Sequence, residues 1–180
     1  AAARLQPVPV PDDVLAEVMD FIAKRLYVAL RDEGYPHDVV EAVLAEQAWN
    51  PARALDAVAT LAEAVQQPWW EDVFTAYARA KRIVRNLDAT YDLNPDAYVE
   101  PATRELHAAY EAAAAKLAAN RHIAVLVQIL RDLQAPINNF FENVLVMAED
   151  PTLRAARLAL VQRIAALPDG LADLTKLRGF

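Results

Sequence analysis

Cysteine is absent from the 180 residues, so the chain can form no disulfide, offers no thiolate nucleophile and cannot build a cysteine zinc site. The three histidines, His37, His107 and His122, lie far apart, which removes the helical His-x3-His pair as a metal anchor. Glycine is nearly missing: Gly34, Gly170 and Gly179 are all there is. Phosphate-cradling loops draw on the positive φ of clustered glycines, so no Gly-x-Gly or Walker-type loop can be made from these three. The longest strongly apolar run, residues 123–127, falls far short of the ~20 residues that cross a bilayer. No basic-then-apolar leader opens the sequence, and a soluble, cytoplasmic protein is expected.

What is present points to helices. Hydrophobic residues make up 56% of the chain, which argues against disorder, and alanine, the best helix former, is about a fifth of it. No segment alternates apolar and β-branched residues as a strand would. The fold class expected is all-α, a bundle of about seven to eight helices. Residues 1–11, with prolines at 7, 9 and 11, read as a linker or truncation point, and residues 12–180 as the helical domain. A first helix is expected over 12–33, stopped by Gly34, then helices over 38–48, 51–66 and 69–87. Residues 88–100 read as a loop. Helices over 101–120, 121–134 and 136–146 follow, and Asp150-Pro151 opens a last one reaching residue 167.

The charge is unevenly spread. Residues 1–73 carry 5 basic and 13 acidic side chains, a net of −8, whereas residues 74–180 carry 13 basic and 12 acidic, a net of +1. The overall charge of −7 argues against promiscuous nucleic-acid binding, while local basic helices permit a directed phosphate contact. On the fourth helix, Trp70, Val73, Tyr77, Val84 and Leu87 form the stripe that faces the core. Arg79, Arg82 and Asn86 sit opposite, flanked by Lys81 and Arg85; such a row suits a phosphate backbone, with Asn86 offering an amide to a base edge. A solvated charged face is the plain alternative.

Two arginines fall on apolar stripes. Arg157 projects from the buried face of the last helix, among Leu153, Leu160, Val161, Ile164 and Leu167, with Glu142, Glu149 and Asp150 as candidate partners. Arg25 lies between Val18, Ile22 and Ala29 on the first helix. A guanidinium in either place needs a partner; it ties helices together or faces a base or phosphate at a groove. Phe140 with Val144 and Phe141 with Leu145 read as i, i+4 helical pairs whose use is core packing, with stacking on an unpaired base as the alternative. Trp69 and Trp70 read the same way. The acid pairs Asp12-Asp13, Glu71-Asp72 and Glu149-Asp150 stand at helix starts, where acids answer the dipole, and no nucleophile, base and oxyanion site assembles. No catalysis is expected of this chain by itself.

Three stretches carry a resemblance: MDFIAKRLYVALRDEGYPHDVVEAVLAEQA at 19–48, AYARAKRIVRNL at 76–87 and APINNFFENVLVMAEDPTLRAARLALVQRIAAL at 135–167. They resemble the bacterial glycyl-tRNA synthetase β subunit, in its C-terminal, DALR-type anticodon-binding domain. The resemblance implies a helical domain that recognises the anticodon of glycine tRNA. Its implied partners are that tRNA, the remainder of the β subunit and the α subunit, with no membrane and no DNA. It implies no cofactor here, since ATP and magnesium belong to the catalytic α subunit. Lys81, Arg82 and Asn86 match the family's Lys-Arg-x-x-x-Asn run, and Phe140, Phe141, Glu142 and Asn143 its Phe-Phe-Asp-x core, with Glu in place of Asp. Arg157 matches the Arg of an Asn-Arg-Leu motif, with Ala156 where Asn is common. Pro168-Asp169-Gly170 departs from the family's helical ending. The tRNA-binding candidates are thus Arg79, Lys81, Arg82, Arg85, Asn86 and Arg154; the structural or base-facing ones are Arg25, Arg157, Phe140, Phe141, Glu142 and Asn143.

Two other readings compete. Residues 33–61 have the punctuation of a ubiquitin-associated-type three-helix module, which would present an apolar docking patch around Gly34-Tyr35. The acidic first helix also suits an interface with the rest of a synthetase, without RNA contact.

Overall fold

The computed structural model describes residues 11–180, so the expected linker at 1–11 lies, but for Pro11, outside the described residues. Among the described residues there are seven α-helices and no strand: α1 Asp12–Asp32, α2 His37–Gln47, α3 Pro51–Ala64, α4 Trp70–Val84, α5 Pro101–Ala119, α6 Ile123–Asn143 and α7 Pro151–Ala165. Two 3₁₀ turns, Pro95–Ala97 and Leu174–Lys176, complete the element order. An all-α protein is the result.

The boundaries follow local chemistry. Gly34 takes φ +93° directly after α1, a conformation that costs a residue without Cβ nothing. Pro51, Pro101 and Pro151 occupy first-turn positions, where the missing N–H is not needed. Asn50 caps α3 through the Arg53 amide, and Asp150 caps α7 through the Thr152 and Leu153 amides at 2.7 and 3.0 Å.

One expected boundary is corrected. Residues 123–143 form a single helix with Pro136 inside it, rather than two helices divided at residue 135. Proline removes one intrahelical hydrogen bond, yet Leu133, Ile137, Phe140 and Phe141 lie on one stripe across it and are all buried. Anchoring that stripe in the core outweighs the lost bond. The helix then stops at Asn143, short of the expected residue 146, and Val144 is extended (φ −127°, ψ 123°). Phe140 and Phe141 keep the core use read from the sequence, but Val144 and Leu145 are not their helical partners.

The core is centred on α4, α6 and α7. Helix α4 packs on both α6 and α7, α5 on α6 and α7, and α3 on α6. Every residue from Ala156 to Val161 of α7 is buried, so this helix is surrounded rather than laid on a surface. Helices α2 and α3 form an adjoining layer that α1 covers on one side. The segment after α7 returns across α2: the Asp173 amide donates to the Ala42 carbonyl at 2.8 Å, and Gln47 Nε2 to the Leu171 carbonyl at 2.7 Å. No helix of the described residues is long and apolar enough to cross a membrane.

Candidate functional site

The site candidates fall into three places. The first is residues 141–148, the end of α6 and the irregular chain behind it. Arg79 of α4 donates to the Phe141 carbonyl (3.4 Å), and its guanidinium stacks 4.5 Å from the Phe141 ring centroid. From α7, Arg157 donates to the Leu145 carbonyl (2.9 Å) and Arg154 to the Ala148 carbonyl (3.2 Å). Three arginines from two helices thus hold one segment through its backbone. Arg79 also supplies the positive charge that the last turn of α6 lacks, where the carbonyls have no helical partner.

Arg157 is 6% exposed and forms an ion pair with Glu100, which also accepts from the Thr103 hydroxyl at 3.2 Å. The expected partners Glu142, Glu149 and Asp150 are not used. Glu100 lies in the stretch read as a loop, and its carboxylate joins α7 to the start of α5. The guanidinium is consumed in this clasp, so it is not offered to a ligand.

Glu142 and Asn143 remain exposed at the end of α6. The Asn143 amide turns back to Asn139, donating to its carbonyl at 2.9 Å and its side-chain oxygen at 2.8 Å. Phe140 and Phe141 are buried against each other, their ring centroids 5.2 Å apart. They support the segment from beneath and offer no free face.

The second place is the far end of α4. Lys81 is half-buried and donates to the Ala165 carbonyl at 3.3 Å, an acceptor it shares with the Tyr77 hydroxyl at 3.2 Å. Burial first, with Asp169 and Asp173 adding to it, keeps that phenol protonated well above its ordinary range. Arg82 is exposed, donating to the Gly179 carbonyl at 3.1 Å with its guanidinium 5.1 Å from the Phe180 ring. Arg85 and Asn86 are exposed just past α4 and make no side-chain hydrogen bond or ion pair among the described residues. The expected row is therefore divided: Arg79 serves the 141–148 segment, and Lys81 and Arg82 serve the chain after α7.

The third place is α1, where Arg25 is exposed and stands 5.8 Å from the Phe21 ring. This corrects the expectation that Arg25 needs a partner on a buried stripe. Val18 and Phe21 beside it are themselves in solvent, so no desolvation has to be offset. Tyr35, in contrast, is half-buried and packed against the core, which argues against a docking patch around Gly34-Tyr35.

The sequence reading missed Leu145 and Met147. Val144, Val146 and Ala148 are buried, while Leu145 and Met147, between them, are 72% and 57% exposed. A two-residue alternation inside a run read as helix was the available signal. Among the described residues no three His, Asp or Glu side chains gather as a metal site.

Residues 73–174 match the family model described as the DALR anticodon binding domain, from α4 through the 3₁₀ turn after α7. A glycine–tRNA ligase of Arabidopsis thaliana, described as chloroplastic/mitochondrial 2, is 34% identical over 99% of this chain and 17% of its own length. The glycine–tRNA ligase β subunit of Desulforudis audaxviator is 33% identical over 91% of this chain and 24% of its own. That of Haemophilus influenzae (strain PittEE) is 34% identical over 92% and 25%. The chain thus spans a quarter or less of the length of these relatives.

Proposed function

Because this chain belongs to the DALR anticodon-binding domain family, we propose that it is the non-catalytic, tRNA-gripping part of a glycine–tRNA ligase β subunit. Residues 12–180 act as one anticodon-binding unit that recognises the anticodon region of glycine tRNA. A separate α subunit attaches glycine, and the ATP and magnesium of that reaction are held there. The working partners are glycine tRNA, the remainder of the β subunit and the α subunit, in the cytoplasm.

The observation that carries this reading is the overlap of the family match with the helices that bear the exposed cations. The matched stretch begins where the charge balance changes from strongly acidic to near neutral. Arg85 and Asn86 are the side chains most available to RNA, being exposed and making no side-chain bond among the described residues. Arg82 is next, since its partners are the last two residues. Phosphates of the anticodon stem meet these guanidiniums, and unpaired loop bases present free Watson–Crick edges beside them. Cytosines at the second and third anticodon positions are the expected targets.

The test is binding of this chain to glycine tRNA and to the same tRNA with those two cytosines replaced. Tighter binding to the native anticodon is expected. Arg82→Ala with Arg85→Ala should weaken binding about tenfold and flatten its salt dependence by roughly one to two units of log–log slope, since each lost phosphate contact contributes about 0.7–0.9. Equal affinity for both tRNAs, unchanged in the double variant, overturns the proposal.

A specific observation favours a second contact elsewhere. Val14, Leu15, Val18, Phe21 and Val28 of α1 are exposed, an apolar side suited to the remainder of the subunit. Phe21→Asp should weaken that association in a pull-down with the upstream part and leave RNA binding intact.

A further inference from the structure

We propose that Leu145 and Met147 form a platform on which one unpaired base of the bound RNA stacks, a proposal that rests on the anticodon-binding reading above. Exposed apolar side chains are ordinary when scattered. These two are not scattered: they occupy alternate positions of one short segment, with Val144, Val146 and Ala148 turned into the core between and beside them. The buried residues fix the direction in which the exposed pair points.

The segment is also held from behind. Arg79, Arg157 and Arg154 bind the carbonyls of Phe141, Leu145 and Ala148, and Arg157 is fixed in turn by Glu100. A stretch outside any helix would ordinarily be the mobile part of its surroundings. Here three charge-assisted hydrogen bonds from α4 and α7 keep it in place, so binding there orders little that is not already ordered.

Charge decides which part of an RNA fits. The guanidiniums face inward to the backbone, whereas the exposed groups bordering the pair are the carboxylates of Glu142, Glu149 and Asp150. A phosphate would be repelled by that border. A base laid on Leu145 and Met147 would not: its apolar face meets the side chains, and an exocyclic amine at its edge finds carboxylate acceptors, as cytosine's N4 amine does. The methionine thioether is well suited to an aromatic ring, being polarizable and adaptable. The surface therefore fits an amine-bearing base, cytosine above uracil, while phosphates are left to Arg82 and Arg85 at the end of α4.

The chain contains two methionines, Met19 and Met147, so selective methyl labelling gives two NMR signals. Titration with an anticodon stem–loop RNA of glycine tRNA should move the Met147 methyl upfield by the ring current of the stacked base and leave Met19 in place. The same RNA with abasic second and third anticodon positions should leave both unmoved. Leu145→Ser with Met147→Ser, at two exposed positions that leave the helices intact by circular dichroism, should weaken stem–loop binding about tenfold, since stacking on one base contributes roughly 1–3 kcal/mol. If the native chain binds the RNA in an anticodon-dependent way while Met147 stays still, the platform is wrong and the anticodon reading stands. If Met147 instead moves when the upstream part of the β subunit is added, the pair is a protein contact and the platform is again wrong. If the native chain binds neither stem–loop nor tRNA, both proposals fall.

Discussion

Of the 21 residues of α1 only Leu30 is buried, while eight of the 15 residues of α7 are, six of them consecutively. Both helices carry an arginine among apolar residues. On α1 the apolar side stands in solvent and Arg25 with it; on α7 the apolar residues close around Arg157, which is clasped by Glu100 and the Leu145 carbonyl. The difference is one of surroundings rather than of helix. Helix α1 reads as amphipathic but meets little beyond α2, whereas α7 is apolar on most sides because α4 and α5 both pack against it. A strongly one-sided helix marks an edge, and an evenly apolar one marks a centre.

The largest expected effect tests that contrast directly. Leu160→Ala in α7 removes a fully buried side chain and should destabilise the fold by about 4 kcal/mol, within the range for buried leucine truncations. Phe21→Ala in α1 removes a larger side chain that is 62% exposed and should change stability by no more than about 0.5 kcal/mol. Urea unfolding of the two variants checks this. A comparable loss in both would show α1 to be packed, and the contrast would collapse.

The arginines come next. Arg157→Ala leaves Glu100 without its partner and frees the Leu145 carbonyl, at a cost of about 3 kcal/mol, whereas Arg25→Ala should stay within about 0.5 kcal/mol of the native chain. Near-equal midpoints of urea unfolding for the two variants would mean that the clasp contributes little.

Which parts of this contrast could be read from the sequence follows from the range of the interactions involved. Gly34, Asn50-Pro51 and Asp150-Pro151 act within a few residues, and the helices they bound begin and end nearly where expected. Pro136 misled for the same reason. Its local rule is sound, but the stripe of Leu133, Ile137, Phe140 and Phe141 overrides it through contacts with other helices. Arg25 and Arg157 could not be told apart, because the burial of each depends on which helices arrive beside it. The partner of Arg157 is 57 residues away, in a stretch with no regular periodicity. Of the candidate site, the basic residues of α4 and α7 were legible as residues. That Arg79, Arg154 and Arg157 converge on one segment, with Leu145 and Met147 left outward, depends on how α4, α6 and α7 pack together.

The smallest expected effect concerns how the two helices begin. Helix α7 starts behind Asp150, whose carboxylate accepts from the Leu153 and Thr152 amides, and these bonds, with Arg154 and Arg157 nearby, hold it below the ordinary aspartate value of 3.8. Helix α1 starts behind Pro11 with no side-chain cap. A carboxyl whose pKa is lowered by folding stabilises the native state above its unfolded pKa, and the contribution is lost as pH falls through the folded value. Asp150→Asn keeps a good capping residue but removes the titrating charge. The native chain should therefore melt slightly above the Asp150→Asn variant near neutrality, and the gap should close as pH drops below about 3.8. Thermal melts of the two chains across that range read the effect. A gap that persists unchanged into acid would mean that the cap at α7 does not depend on the charge of Asp150, leaving this helix start differing from that of α1 only in its hydrogen bonds.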